Sequence, residues 1–237
     1  MISEEFRTAF KDRFGAALTA DAAYRVGAKV GVPGSNILPL EPGQRIAGPA
    51  RTVEANNDLV AILVALHRAE AGSVLVIGNA VGGVAGLTGD IIATEARRNG
   101  LEAIVVDGHV RDTQEIRRIG QPVYCRGRVP VGPLKLVPSE KGIGVPGATV
   151  GFGDSIVSDG QWIVGDDDGL LVLEESDLKA IMEEAKRSLR KEANLISQIK
   201  SGASLGDAFG IEEFFERRRS DPEADFNAHI ASRGKAI

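Results

Sequence analysis

Apolar residues in the first three quarters of the chain fall mostly into short β-branched runs separated by glycine, the texture of strands. The pattern predicts strands over 44–53, 73–77, 103–106, 122–126, 149–152, 155–158, 161–164 and 169–173. Helical spacing interrupts them in the middle of the chain. Over 57–71 the residues Leu59, Ile62, Leu63, Leu66 and Ala69 share one face, with Asn57 placed as N-cap and Gly72 as terminator. A shorter helix over 90–99 ends similarly at Gly100. After residue 128 the helical pattern lapses into strand, turn and strand, and Asp168-Gly169 is a two-residue hairpin signal, so this half reads as antiparallel. Residues 1–14 alternate charged and apolar positions in the manner of a short amphipathic helix.

From residue 176 the period changes to that of helices. Ile181, Ala185, Leu189, Ile196 and Ile199 form one stripe on a helix ending near 201–202, and a second short helix is predicted over 211–219. The residues after Ser220 are polar enough to be loosely ordered. The organisation expected is therefore an α/β core over 1–175 and a helical C-terminal extension over 176–237, whose apolar stripe needs a surface to cover it; a neighbouring subunit is the favoured one.

Composition narrows the class. Of the residues, 43% are hydrophobic and 26% charged, an ordinary globular balance for a chain of 237, and the longest apolar window, 74–87, is too short and too glycine-rich for a membrane helix. The 28 Lys and Arg against 33 Asp and Glu leave a net charge of -5, which supplies no field for nucleic acid, so neither nucleic acid nor membrane is expected as a partner. One cysteine and three histidines build neither a disulfide nor a Cys/His zinc cage. With no signal-peptide pattern at the start, the expected compartment is the cytoplasm.

Several motifs fail on inspection. The glycine-rich stretch 78–86 has no register of G-x-G-x-x-G and no following Gly-Lys-Ser/Thr, so it is no nucleotide loop. Gly202-Ala203-Ser204-Leu205-Gly206 matches G-x-S-x-G but follows a helix, and reads as a helix end followed by a serine N-cap. Asp166-Asp167-Asp168 lacks the ligand spacing of a calcium loop and reads as a solvated hairpin.

The informative segment runs from Gly89-Asp90-Ile91-Ile92 through a short helix and strand to Asp107-Gly108-His109-Val110-Arg111-Asp112. Residues past strand ends and at helix starts converge on a crevice in α/β units, so both ends of this unit can meet there. Amides of Ile91 and Ile92 at a helix start favour a carboxylate. Arg111 adds a permanently charged fork for that carboxylate or for a developing enolate, and Asp112 a hard oxygen ligand for magnesium or manganese. The plain alternative is an N-cap and a surface ion pair at Arg111-Asp112. His109 reads equally as a bonded loop residue or a proton carrier, whereas His67 and His229 read as structural.

The spacing Asp90-x20-Arg111-Asp112, with Gly48-Pro49-Ala50-x-Thr52, the 107–112 motif and Asp166-Asp167-Asp168-Gly169, resembles the 4-hydroxy-4-methyl-2-oxoglutarate and 4-carboxy-4-hydroxy-2-oxoadipate aldolases of the RraA-like family. The resemblance spans roughly residues 37–173. It implies a swivelling β/β/α-type α/β domain with mixed sheets, a homotrimer or dimer of trimers, and a class II pyruvate aldolase that uses a divalent metal and also decarboxylates oxaloacetate. Its substrate would be a small 2-oxo acid. By the same resemblance Asp112 binds the metal, Arg111 the pyruvyl end and Gly89–Ile92 the carboxylate, while Asp90 orients a water for proton transfer. A glutamate of an adjacent subunit, best matched by Glu192 ahead of Glu183 and Glu184, approaches the metal through water. The family's ribonuclease regulators share the fold but typically lack the aspartate after the arginine and the long C-terminal helix, and this chain has both. Three alternatives stand beside the aldolase: a non-catalytic regulator of ribonuclease activity, a lyase for another hydroxy-oxo acid, and a Schiff-base aldolase using Lys135 or Lys141.

Overall fold

The computed structural model describes residues 2–132 and 143–234, so Lys135 and Lys141 lie outside the described residues. The chain forms two compact units, Met1–Met182 and Glu183–Ile237.

The first unit is a mixed α/β domain. Its N-terminus is more helical than its pattern implies: α1 (Ile2–Ala9) runs through a π-helical turn at Phe10–Phe14 into α2 (Gly15–Arg25), an alanine-rich helix that carries no strong period. Then follow β1 (Leu38–Pro39), β2 (Ile46–Glu54), α3 (Leu59–Arg68), β3 (Val74–Gly78), β4 (Gly86–Thr88), α4 (Asp90–Arg98), β5 (Ala103–Val110), α5 (Thr113–Ile119) and β6 (Val123–Arg128). Five further strands, β7 (Val145–Pro146), β8 (Val150–Phe152), β9 (Ser155–Val157), β10 (Trp162–Asp166) and β11 (Gly169–Leu173), precede α6 (Leu178–Lys200). The sheet order is β1-β6-β5-β3-β2-β10-β11, with β4 added to β5 and β7 to β2. Strands linked by helices pair in parallel, and β10 and β11 pair antiparallel to close the sheet's other side.

Period-two alternation divides the core. Leu75, Ile77, Ile104, Val106, Val123 and Cys125 face the helix layer with Ile62, Leu66 and Ala93. Val74, Val76, Ala103, Val105 and Tyr124 face the other way, against Val150, Phe152, Val157 and Val172. Burial pushes the Cys125 thiol above its ordinary pKa, so this lone cysteine packs as a small apolar residue.

Two helix boundaries differ from the pattern. Asp58, not Asn57, caps α3, its carboxylate accepting from Val60 N at 2.9 Å, while Asn57 sits in the left-handed region at φ 60°. α3 stops at Arg68 because Ala69 turns extended, well before Gly72. α4 ends close to expectation: Gly100, at φ 71°, donates to Arg97 O and Leu101 N to Ala96 O. The short α5, absent from the pattern, carries one buried apolar residue, Ile116, too little to register as a period.

In the second unit α6 is followed by α7 (Leu205–Phe209), α8 (Ile211–Ser220) and α9 (Phe226–Ser232). Ser204 does cap α7, accepting from Asp207 N at 3.3 Å. Residues 221–234 are not loose. Asp225 caps α9, and Phe226 packs 4.9 Å from Phe214 and 6.3 Å from Phe209. His229, read as structural, sits 5.0 Å from Phe214 and bonds Phe209 O at 2.8 Å. The α6 stripe is exposed at its far end, with Ile196 at 50% and Ile199 at 40%. Among the described residues no helix is long and apolar enough to cross a membrane.

Candidate active site

Gly89–Ile92 and Arg111–Asp112 lie on two segments that the β4–β5 pairing brings side by side. Arg111 N donates to Thr88 O at 2.9 Å, and Gly86 N to Val131 O at 2.7 Å, so the start of α4 and the end of β5 are laced by backbone bonds. Asp112 follows in a left-handed conformation, φ 54° and ψ 39°, rare for a side chain other than glycine, asparagine or aspartate. It occupies the N-cap position of α5 but makes no capping bond; its carboxylate instead meets Arg111 Nε at 3.1 Å. The simple N-cap reading therefore does not describe Asp112, although the ion pair does form.

Glycines make the room. A Cβ on Gly89 would lie 2.5 Å from Asp112 Oδ2 and 3.3 Å from Arg111 Nε, and one on Gly132 would lie 2.6 Å from the Arg111 guanidinium. A Cβ on Gly86 would lie 3.2 Å from the Arg111 backbone N. The guanidinium is thus held in a slot that larger residues would fill.

Arg111, Gly89, Asp90, Ile91 and Ile92 line one cleft of about 170 Å³, together with Leu59 and Leu63 of α3 and Gly86 and Leu87 of β4. The sequence reading missed Leu59 and Leu63 as cleft residues. Their spacing was assigned to the core face, yet Leu63 is 44% exposed while Ile62 and Leu66 are buried; the apolar stripe of α3 is wider than the core it covers. One expected donor is also engaged: Asp90 Oδ1 accepts from Ile91 N at 2.8 Å, which leaves an incoming anion the other amides of the first turn. Glu192 lies on α6 in the second unit. Glu183 and Glu184 pair there with Lys186 and Arg187, whereas Glu192 makes no ion pair among the described residues.

Over residues 16–172 the sequence matches the model of the RraA-like family, described as Aldolase/RraA. The chain belongs to the RraA-like family. It is 32% identical over 154 residues, 65% of this chain and 71% of that protein, to a protein of Halalkalibacterium halodurans named "Putative 4-hydroxy-4-methyl-2-oxoglutarate aldolase". Among solved structures it resembles Streptomyces coelicolor RraAS2, described as an unusual member of the RNase ES inhibitor RraA protein family, at 26% identity and TM-score 0.66, covering 82% of this chain and 96% of that one. An uncharacterised protein of Pseudomonas syringae shares the fold at 23% identity and TM-score 0.69, covering 87% of this chain and 95% of that one.

The 107–112 segment divides into two jobs. Asp107 faces away from the cleft residues just described: its carboxylate pairs with Arg126 Nε and accepts from Gly153 N at 2.7 Å, fastening β6 and the β8–β9 turn to β5. Asp107→Ala leaves both donors without that acceptor and is expected to lower unfolding free energy by about 2 kcal/mol, read by urea titration; an unchanged midpoint would show that water replaces the carboxylate without loss. His109 has a buried Nδ1 with no partner among the described residues, as has the Thr88 hydroxyl, and neither lines the cleft.

No cluster of three His, Cys, Asp or Glu side chains that could hold a metal occurs among the described residues. The Asp112 carboxylate, 34% exposed beside the cleft, is a hard oxygen donor of the kind that suits magnesium or manganese, ions that take one or two carboxylates and keep several waters.

Proposed function

We propose that this protein is a divalent-metal-dependent pyruvate aldolase of the RraA-like family, cleaving a 4-hydroxy-2-oxo acid such as 4-hydroxy-4-methyl-2-oxoglutarate or 4-carboxy-4-hydroxy-2-oxoadipate to pyruvate and a second oxo acid. The observation that carries the reading is the placement of Arg111 in one cleft with the first turn of α4, next to the Asp112 carboxylate at 3.1 Å. Asp112 would hold the magnesium or manganese ion, and the chemistry that ion supplies is polarisation of the 2-oxo group.

The chain's own groups account for the remaining steps. The first-turn amides of α4 and Arg111 bind the substrate carboxylate, which fixes the 2-oxo end against the Asp112 side of the cleft. As the C3–C4 bond breaks, negative charge moves onto the 2-oxo oxygen, and Arg111 supplies a fixed positive group aimed at it, an interaction stronger in the transition state than in the bound substrate. The C4 hydroxyl proton must leave and C3 must later gain one. Asp90, whose Oδ2 makes no bond among the described residues, holds a water that serves both transfers. Oxaloacetate decarboxylation passes through the same enolate and is the expected side activity. In the assembled trimer or dimer of trimers, Glu192 of an adjacent subunit completes the water network around Asp112.

The test is pyruvate release from the two aldol substrates and from oxaloacetate, with magnesium and with EDTA. Magnesium-dependent release from an aldol substrate is expected, with EDTA lowering the rate about tenfold or more. Release from oxaloacetate alone would leave a lyase with another substrate. Release undiminished by EDTA would remove the metal from the proposal. The similarity to RraAS2 favours a second reading, a ribonuclease regulator; silence on all three substrates, with binding to a ribonuclease, would establish it instead.

A further inference from the structure

Asn57 does not cap α3 and the glycine-rich run 78–86 is no nucleotide loop, yet the two are joined. Asn56 and Asn57 lie in succession in the left-handed region, at φ 48° and 60°, a conformation that costs a residue with a side chain and that asparagine tolerates. Asn57 N donates to Asn79 Oδ1 at 3.1 Å, and Asn79 Nδ2 returns a bond to Asn57 Oδ1 at 3.2 Å. Both side-chain amides also donate to Gly82 O, at 2.9 Å from Asn79 and 3.3 Å from Asn57. The contact is reciprocal, so neither amide can flip without losing bonds. Glu54 Oε1, accepting from Ala80 N at 2.9 Å, holds the same loop from the end of β2.

Residues 83–85 alone separate Gly82 from β4, and β4 is a weak anchor by itself: three residues long, it pairs with β5 at Gly86 and Thr88 across a register irregularity. Much of the site nevertheless hangs on it. Thr88 O accepts from Arg111 N at 2.9 Å, Gly86 and Leu87 line the cleft, and Gly89 leads into the first turn of α4 beside the Asp112 carboxylate. Resting on the assignment of this cleft to the proposed reaction, we propose that Asn57 and Asn79 are positioning residues, a reciprocal amide clamp that holds the upstream end of β4 and thereby fixes Arg111 against the first turn of α4. Neither side chain lines the cleft, so the clamp acts on a substrate only through β4. Loosening it lets β4 shift, and groups that must meet a reacting atom lose rate steeply when displaced by a fraction of an ångström.

Oxalate, a planar dianion with the shape of the pyruvate enolate, tests the clamp without relying on turnover. Asn79→Ala removes three of the four bonds. In titration calorimetry on the full chain with magnesium present it is expected to bind oxalate about tenfold more weakly, and in parallel assays to lower kcat for pyruvate release about tenfold, less than the roughly 10²-fold of a full 1 Å misplacement. Asn57→Asp is the conservative variant: it tolerates the left-handed turn, keeps three of the four bonds and is expected to stay within about twofold of wild type on both readouts. Asn57→Gly adopts the turn without strain and loses both side-chain bonds of Asn57, so it carries the test where Asn79→Ala fails to fold, with an expected loss of about threefold. A clamp that serves stability alone would lower the urea midpoint and leave oxalate affinity and kcat of the folded variants unchanged. That result, equal losses in Asn57→Asp and Asn79→Ala, or no oxalate binding by the wild type would each overturn the proposal. The two ideas separate cleanly. Oxalate binding weakened in Asn79→Ala, with no pyruvate release by the wild type, keeps the clamp and removes the aldolase; release that the variants leave unaltered removes the clamp and keeps the aldolase.

Discussion

Arg111→Ala and Asp112→Ala are each expected to lower magnesium-dependent pyruvate release by about 10³-fold, the loss typical when one preorganised donor is taken from a site. The two side chains are expected to fail for different reasons. Arg111 is 42% exposed and its loss opens no core cavity, so the variant folds, but the developing oxyanion loses its fixed positive partner. Arg111→Lys is not a conservative rescue, because a point charge on a flexible stem cannot reproduce a planar fork held between Gly89 and Gly132. Asp112 needs a second variant, since alanine at φ 54° adds a backbone penalty of about 1 kcal/mol to any chemical loss. Asparagine tolerates the left-handed region and keeps the shape. Asp112→Asn with wild-type unfolding and lost turnover isolates the charge. Near-normal turnover in Arg111→Ala or Asp112→Asn would remove the site from this cleft.

The α/β core was largely legible because its strands are short, apolar and bounded by glycine, and because burial on both faces leaves continuous runs such as Val74–Gly78. What escaped was structure fixed by tertiary bonds rather than by pattern. The 166–168 aspartates read as solvated, yet Asp166 Oδ2 accepts from Ala16 N at 2.8 Å and Asp167 Oδ1 from Gly43 N at 2.8 Å, so the hairpin pins two distant segments. Gly48, one of the positions carrying the family resemblance, is required by packing, since a Cβ there would meet Gly72 O at 2.4 Å. The site divides in the same way. Spacing and residue type brought Asp90, Arg111 and Asp112 into view, because helix starts and strand ends converge in such units. The cleft residues Leu59 and Leu63 did not emerge, because a leucine that lines a cleft and a leucine that lines a core have the same period.

Gly89→Ala is the variant that best separates the slot from the fold, with an expected loss of about 10²-fold in turnover, the scale of a displacement near 1 Å at reacting groups. Gly89 lies at φ -141° and ψ -167°, extended backbone that alanine adopts without strain, so the substitution carries no conformational penalty of its own. Its effect is confined to the new Cβ, which meets Asp112 Oδ2 at 2.5 Å. That oxygen ends a short side chain, so the contact is relieved by turning the Asp112 carboxylate away from Arg111 Nε rather than by moving strand or helix. Stability is therefore expected to stay within about 0.5 kcal/mol of wild type, the range of substitutions that disturb no packed element. If Asp112 holds the metal, part of the lost turnover returns as magnesium is raised, because a displaced ligand weakens metal affinity before it alters the chemistry at saturation. A turnover loss that magnesium leaves untouched would transfer the effect to the carboxylate grip of the α4 first turn. Wild-type turnover would mean that Asp112 is free to move, and that the geometry between Arg111 Nε and Asp112 Oδ2 plays no part in the reaction.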